Sequence, residues 1–486
     1  MSLDHYHTLV IGAGSGGLTV AIGLAALGKQ VALVEANHVG GDCTNVGCIP
    51  SKTLIHLAKH HSPGDNLDDV FQQMIHKRDA LRIKETEEVK HTENLTFIRG
   101  AARFISSNKL AVDHHKKTQT ITADHIIIAT GSRPRSLDIP GLPAERTLTN
   151  ESLFDLHNLP LHLVIVGAGV IAVEMAFAFK KLGTQVTLFA LDPQPLARTI
   201  PEASAVIQVE LAKAGITTYY NTTAKAYDEA SRTLTLMQDK QQIDVRNVDQ
   251  VLIAIGRVRN LEALDLEKAE LEADPHLCIR VNAFGRTKVK GIYAVGDVTP
   301  TSAFTHSANA QGRRVVQRIA FPLLPLSRKE PLFPQATFSD PEVAIVGLTG
   351  KELQSTFHPG VIKRIRVDFA TQTDRGYTDG VENGFIIVDA IRLTGRILHA
   401  TIVGPHASEM ISLFTLAISQ KTSLYKLYRL VYPYPTFSSG ILKVADIFMK
   451  ETLPNLPSEL RAYLKYRLAK PRVKPSSEKN TLAIIQ

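Results

Sequence analysis

His7 to Glu35 reads HTLVIGAGSGGLTVAIGLAALGKQVALVE, an apolar strand, a glycine turn, a helix and a second strand that ends on an acid. Gly12, Gly14 and Gly17 stand at the spacing that allows a tight turn, close approach of backbone to a pyrophosphate, and close packing of helix on strand. The helix N-terminus then faces the phosphates with its free N–H groups. Glu35 follows Gly17 at the distance where a carboxylate accepts hydrogen bonds from an adenosine ribose. A glycine turn alone says little, whereas the whole strand-turn-helix-strand-acid unit predicts a dinucleotide-binding fold.

A second unit of this kind begins at Leu161, LHLVIVGAGVIAVEMAFAFKKLGTQVTLFALDPQPLAR, with Gly167 and Gly169 in place and Ala172 where the third glycine would stand. Its second strand runs out through Phe189, Ala190 and Leu191 with no acid, and Arg198 follows. The ribose 2′ position is then unclaimed by a carboxylate, which favours a 2′-phosphate and hence NADPH over NADH; Asp192 stands nearby, and Arg198 also reads as an ordinary surface arginine. Two short apolar strands ending in glycine, Asp124–Pro134 (with Thr130 and Gly131) and Val251–Arg257 (with Gly256), close nucleotide domains. Gly291–Asp297, GIYAVGD, is a buried strand returning to an acid. The expected class is α/β, with two Rossmann-like dinucleotide-binding domains.

Between the first unit and the rest lies GGDCTNVGCIPSK, Gly40 to Lys52, which holds two of the chain's three cysteines. Cys43 and Cys48 precede a helix, where amide dipoles stabilise thiolates and lower their pKa. A bridge over so short a loop removes little chain entropy, so its use lies in opening and closing. The plainer reading is two buried thiols packed as small hydrophobes. Zinc is disfavoured, because no second Cys pair or spaced His pair completes four ligands. Cys278 reads as an ordinary half-buried thiol, His306 as a structural neighbour, and His60 and His61 as a solvated helix face.

At 486 residues and 44% hydrophobic, the chain has material for several cores. No apolar run reaches the length of a membrane span. The first strand begins almost at once, which leaves no room for a signal peptide and predicts a reducing, cytoplasmic location. Lysine and arginine exceed acids by 55 to 47, and residues 455–486 carry seven of the basic residues against two glutamates. The basicity is therefore local, as in a solvated or helical extension, and no aromatic platforms accompany it for nucleic acid.

Taken together, these motifs resemble the FAD-dependent pyridine nucleotide-disulfide oxidoreductases, the family of glutathione reductase, dihydrolipoyl dehydrogenase and mercuric reductase, over about residues 5–450. The resemblance implies FAD in the first domain and NADPH or NADH in the second. It makes Cys43–Cys48 a redox disulfide, with Cys43 meeting the acceptor and Cys48 the flavin. It places Lys52 at the flavin, paired with Glu174, and assigns Thr305 to the flavin ring, Asp297 to the FAD ribitol, Ala102 to the adenosine, and Gly41, Thr130 and Gly131 to the cofactor site. The stretches Phe338–Thr349 and Thr394–Ile411 resemble an α+β dimerisation domain, which implies a homodimer. The expected limits are 1–148 and 276–334 for the two parts of the FAD domain, 149–275 for the NAD(P) domain, 335–450 for the interface domain and 451–486 for the basic extension.

One departure bears on function. The family's His-Pro-Thr-x-x-Glu motif, lent by the partner subunit as acid-base, is replaced in VYPYPTFSSG by Tyr434 and Ser439. A phenol keeps its proton to about pH 10, so it cannot shuttle protons near neutrality. Mercuric reductases also carry a tyrosine there, although this chain lacks their C-terminal cysteine pair. The expected acceptor is a soft electrophile such as mercuric ion; the alternatives are a thiol-disulfide reductase of dihydrolipoyl dehydrogenase or glutathione reductase type, and a redox-sensing or electron-transfer flavoprotein. Tyr434 and Ser439 also read as simple interface packing.

Overall fold

The computed structural model describes residues 4–62, 67–115, 117–301, 303–348 and 350–469. The strand Asp4–Ile11 lies in parallel between Val31–Glu35 and Lys117–Ile128, with Leu9 opposite Ala32 and Ile126. Leu95–Arg99 extends this sheet beyond Val31–Glu35, and Ile292–Ala294 joins the far side of Lys117–Ile128, so a strand nearly 300 residues downstream completes it. Ala101–Ser106 and Lys109–His114 add an antiparallel flap on the early half of Lys117–Ile128. The parallel strands are apolar throughout because both faces are covered: the helices Ser15–Ala25 and Thr305–Ala320 lie on one side, and Leu261, Leu264, Leu266 and Leu271 pack on the other.

The second sheet runs Thr217–Tyr219, Gln185–Phe189, His162–Val166, Gln250–Ile253 and Thr147–Leu148, all parallel. A three-stranded antiparallel sheet, from Thr222 to Val245, covers one of its faces. The helix Val170–Lys181 is buried on nearly every side. A short ribbon, Ser132–Pro134 with Arg257–Arg259, ties the two nucleotide units together.

The interface domain is a five-stranded antiparallel sheet in the order Gln335–Thr337, Val343–Gly347, Ile397–Val403, Phe385–Ile391 and Ile362–Asp368. Helices Ala407–Ser419 and Ser439–Thr452 cover it through Phe414 and Phe448, both fully buried. The basic extension begins as a docked helix, Leu456–Tyr466. Buried Glu459 accepts from Arg392 at 3.0 and 2.9 Å and from Lys363 at 3.2 Å. Tyr466 stacks on His358 at 4.6 Å, and its ring fills the space next to Gly360, so a side chain at residue 360 would displace it. Residues 470–486, with much of the expected positive charge, lie outside the described residues. No described helix is long and apolar enough to cross a membrane.

Candidate active site

Both fingerprint turns show why they need glycine. Gly12 has φ +101°, and a Cβ there would meet the Ala129 carbonyl oxygen at 2.4 Å; a Cβ on Gly17 would meet the Gly12 oxygen at 1.9 Å. Gly167 is the counterpart in the second unit, at φ +116° against the Ala254 oxygen. Gly14 and Gly169 open their helices without a capping side chain and without an acid in the first turn, so the first N–H groups remain available to an anion. Ala172 is fully buried in its helix.

The remaining cradle fits a dinucleotide. Glu35 accepts one backbone N–H on each oxygen, from Ala13 and Asn37 at 2.7 Å, and each oxygen keeps a lone pair for a ribose hydroxyl. Gly41 approaches Gly14 so closely that a Cβ would stand 2.7 Å from its Cα. Asp297 accepts from Ser132 at 2.5 Å at the end of the returning strand. Thr130 donates to the Asn260 carbonyl at 2.7 Å, and Gly131 and Gly256 turn the chain with positive φ. Ala102 is buried on the flap.

Cys43 lies on the short helix Gly41–Asn45 and Cys48 opens the helix Cys48–His60; both thiols are free. They hydrogen-bond to each other with opposite effects. Cys48 is lowered to about 6, chiefly because Cys43 donates to it, with help from Thr305 and Lys52 against the penalty of burial. Cys43 is pushed up, first by that same hydrogen bond and then by burial. The Thr305 hydroxyl lies 3.5 Å from Cys48 Sγ. One turn along the helix, Lys52 Nζ pairs with Glu174 Oε2 at 2.8 Å, and Glu174 is almost wholly buried. The second Glu174 oxygen accepts from the Phe338 N–H at 2.9 Å, while Lys52 stands 4.8 Å over the Phe338 ring.

Cys43 also lines a cleft of about 630 Å³, walled by Leu18, Ile22 and Val316 with Glu85, Asn309 and Arg313 among its polar groups. Three residues at the site, Asp42, Arg257 and Glu85, were missed in the sequence. Asp42 forms an ion pair with Arg257, clasping the thiol loop to the ribbon. Asp42 stands inside the thiol motif and Arg257 directly after Gly256, so both were in view as unassigned charges. Glu85 gave no signal, being one of many polar residues on the long helix Leu67–His91.

Other candidates lie apart. Arg198 is exposed near Asp192, and partial desolvation by the surrounding chain lowers its pKa. Tyr434 is 75% exposed on the interface domain, where Asp374 raises its pKa, and it is not among the residues lining the Cys43 cleft of its own chain. Ser439 donates to the Thr436 carbonyl at 2.6 Å. Cys278 is fully buried. His306 contacts the Pro334 carbonyl at 2.8 Å and stacks on Phe304, and His60 is exposed.

The comparisons with known proteins agree with this frame. Residues 6–312 match the pyridine nucleotide-disulphide oxidoreductase model, and residues 333–445 match the dimerisation domain of the same family. The chain belongs to the pyridine nucleotide-disulfide oxidoreductases, whose members use FAD and NAD(H) or NADP(H). It is 32% identical over 453 residues to dihydrolipoyl dehydrogenase of Chlamydia pneumoniae, covering 90% of this chain and 95% of that one. The dihydrolipoyl dehydrogenase of Thermus scotoductus is 31% identical over 471 residues, covering 92% and 98%. Among solved structures, the Cu(II) complex of the HOCl-induced flavoprotein disulfide reductase RclA from Escherichia coli superposes with a TM-score of 0.83 at 26% identity, over 92% of this chain and all of that one.

Proposed function

We propose that this chain is an NAD(P)H-dependent flavoprotein disulfide reductase that passes electron pairs through Cys43 and Cys48 to a disulfide of the lipoamide or glutathione type. The carrying observation is the split between the two thiols: Cys48 held down to about 6 beside Lys52, and Cys43 held protonated where it lines the cleft. When bound, FAD supplies the means to take a hydride from NAD(P)H and deliver two electrons to the disulfide. The chain's own residues do the rest. Cys48 holds the negative sulfur on the inner side, Lys52 stands beside it as the compensating charge, and Glu174 fixes Lys52 in place. Cys43 is left to attack an acceptor from the cleft. The dihydrolipoyl dehydrogenase relatives support this reading over the mercuric one.

A second reading, reduction of a soft metal ion, rests on Tyr434 and Ser439. A metal ion displaces the thiol proton as it binds sulfur and so needs no imidazole to remove it. The Cu(II) complex of the E. coli relative supports it. We further read the exposed Leu416, Leu430, Val431 and Tyr434 on the interface domain as the patch that a second copy covers in a homodimer.

Anaerobic reduction by NADPH followed by rapid mixing with lipoamide, glutathione disulfide, Cu(II) or Hg(II) separates the readings. Reoxidation by a disulfide at ordinary enzyme rates, about 10 per second, is expected. Reoxidation by the metal ions alone would replace the first reading with the second, and reoxidation by none would leave an electron-transfer or sensing flavoprotein. In the same assay NADPH should reduce the protein faster than NADH. Arg198→Ala should lower that preference by about tenfold, the loss of one charge-assisted contact to a 2′-phosphate. Equal rates in the unmodified protein would remove the NADPH assignment.

A further inference from the structure

Cys43 has a proton to lose, and among the described residues lining its cleft there is no histidine to take it; residue 434 is a tyrosine. The cleft that it lines contains one carboxylate, Glu85, on the helix Leu67–His91. Thr44, the residue after Cys43, donates to Glu85 Oε2 at 2.9 Å and aims the carboxylate at the thiol loop. Gly40 gives it room: a Cβ there would stand 2.4 Å from Glu85 Oε2. Glu85 is also close enough to Cys43 for its charge to raise the thiol's pKa.

We propose that Glu85 is the proton-exchanging group of the acceptor half-reaction, serving within one chain the duty that the missing imidazole would serve from the partner. The proposal rests on the disulfide-reductase reading. In the first step the Glu85 carboxylate takes the Cys43 proton, the Cys43 sulfur bonds to one sulfur of the acceptor disulfide, and the acceptor S–S bond breaks. The departing thiolate takes that proton back from Glu85. The Cys48 thiolate then attacks Cys43, forming the Cys43–Cys48 disulfide, and the second thiolate leaves and takes a proton from solvent. One disulfide, one thiol, one thiolate and one proton thus become two thiols and the enzyme disulfide.

The surroundings suit that exchange. Burial raises the pKa of Glu85 and Glu88, one turn along, adds to the rise, while the Thr44 hydrogen bond opposes it. Arg313 lines the same cleft. A carboxyl raised toward neutrality is a better proton carrier than one at its ordinary value.

The test compares Glu85→Gln and Glu85→Asp with the unmodified holoenzyme in two measurements after reduction by NADPH. The first is reoxidation by lipoamide. The second is the pH dependence of Cys43 alkylation by iodoacetamide, read by peptide mass. Glu85→Gln should slow reoxidation by about 100-fold, with Glu85→Asp recovering part of the loss. Alkylation should not slow, and its midpoint should move to lower pH, because a negative neighbour has been removed. A merely electrostatic neighbour would, once removed, speed both reactions, and that result overturns the proposal. Reoxidation within threefold of the unmodified enzyme also overturns it. If neither lipoamide nor glutathione disulfide reoxidises the unmodified enzyme, the disulfide reading falls and the role given to Glu85 falls with it; fast reoxidation of the unmodified enzyme beside fast reoxidation of Glu85→Gln removes Glu85 alone.

Discussion

Cys48→Ser abolishes acceptor turnover, by on the order of 1000-fold or more, because the sulfur that must close the enzyme disulfide is gone. This is the expected result, and a spectrum separates it from simple damage. In the unmodified protein reduced by two electrons, a long-wavelength band between the Cys48 thiolate and FAD should be present above about pH 6 and fade as pH falls through that value, since Cys48 is lowered to about 6 and the protonated thiol donates no charge. Cys48→Ser should lack the band at every pH. Cys43→Ser should show it without any reduction, because Cys48 can then form no disulfide. In Cys43→Ala, which has no donor to offer, the band's midpoint should lie above that of the unmodified protein, since the Cys43 hydrogen bond is the largest cause of the depression. A band that survives in Cys48→Ser would reverse the roles of the two cysteines.

The second large effect runs toward higher activity. In the Glu85→Gln background, Tyr434→His with Ser439→Glu should raise turnover of lipoamide or glutathione disulfide by about 100-fold, the usual value of an oriented acid-base group. Residue 434 is exposed in one chain and available to a partner, and the Asp374 carboxylate stands near its side chain. Residue 439 begins the helix Ser439–Thr452, where a glutamate is favoured by the helix dipole. Flavin reduction by NADPH should not change, because it precedes the acceptor. Unaltered turnover in that triple variant, folded and dimeric, would mean that residues 434 and 439 only pack an interface.

Much of the frame could be read directly from sequence because it rests on steric rules with fixed spacing. Gly12, Gly17 and Gly167 have carbonyl oxygens where a Cβ would stand, and only glycine answers that demand. Cys48 and Lys52 are one helical turn apart, so their association needed no tertiary knowledge. The pairing of Lys52 with Glu174 spans 122 residues and became legible through family resemblance. What stayed hidden was formed by contacts with no periodic trace. Asp42 reaches Arg257 across 215 residues, and Glu85 reaches Thr44 from a helix whose exposed and half-buried polar residues look alike in sequence. The docking of the helix Leu456–Tyr466 was equally hidden, since a buried Glu459 reads as one more surface charge until Arg392 and Lys363 are seen around it.

Glu174 touches three folding units at once: its own helix in the second nucleotide domain, Lys52 from the first, and the Phe338 amide from the interface domain. Removing Lys52 would leave its buried carboxylate without its counter-charge, a loss of the kind that costs about 3 kcal/mol or more. That cost would be felt as cooperativity. A chain of this length can melt in pieces, each domain at its own temperature; a single carboxylate shared by three of them makes the opening of any one break a bond to that carboxylate. Loss of the thiol site and loss of the dimerising surface are then coupled in the same event, so heat-damaged molecules pass to a state with neither rather than lingering as subunits that still take electrons but can no longer hand them on.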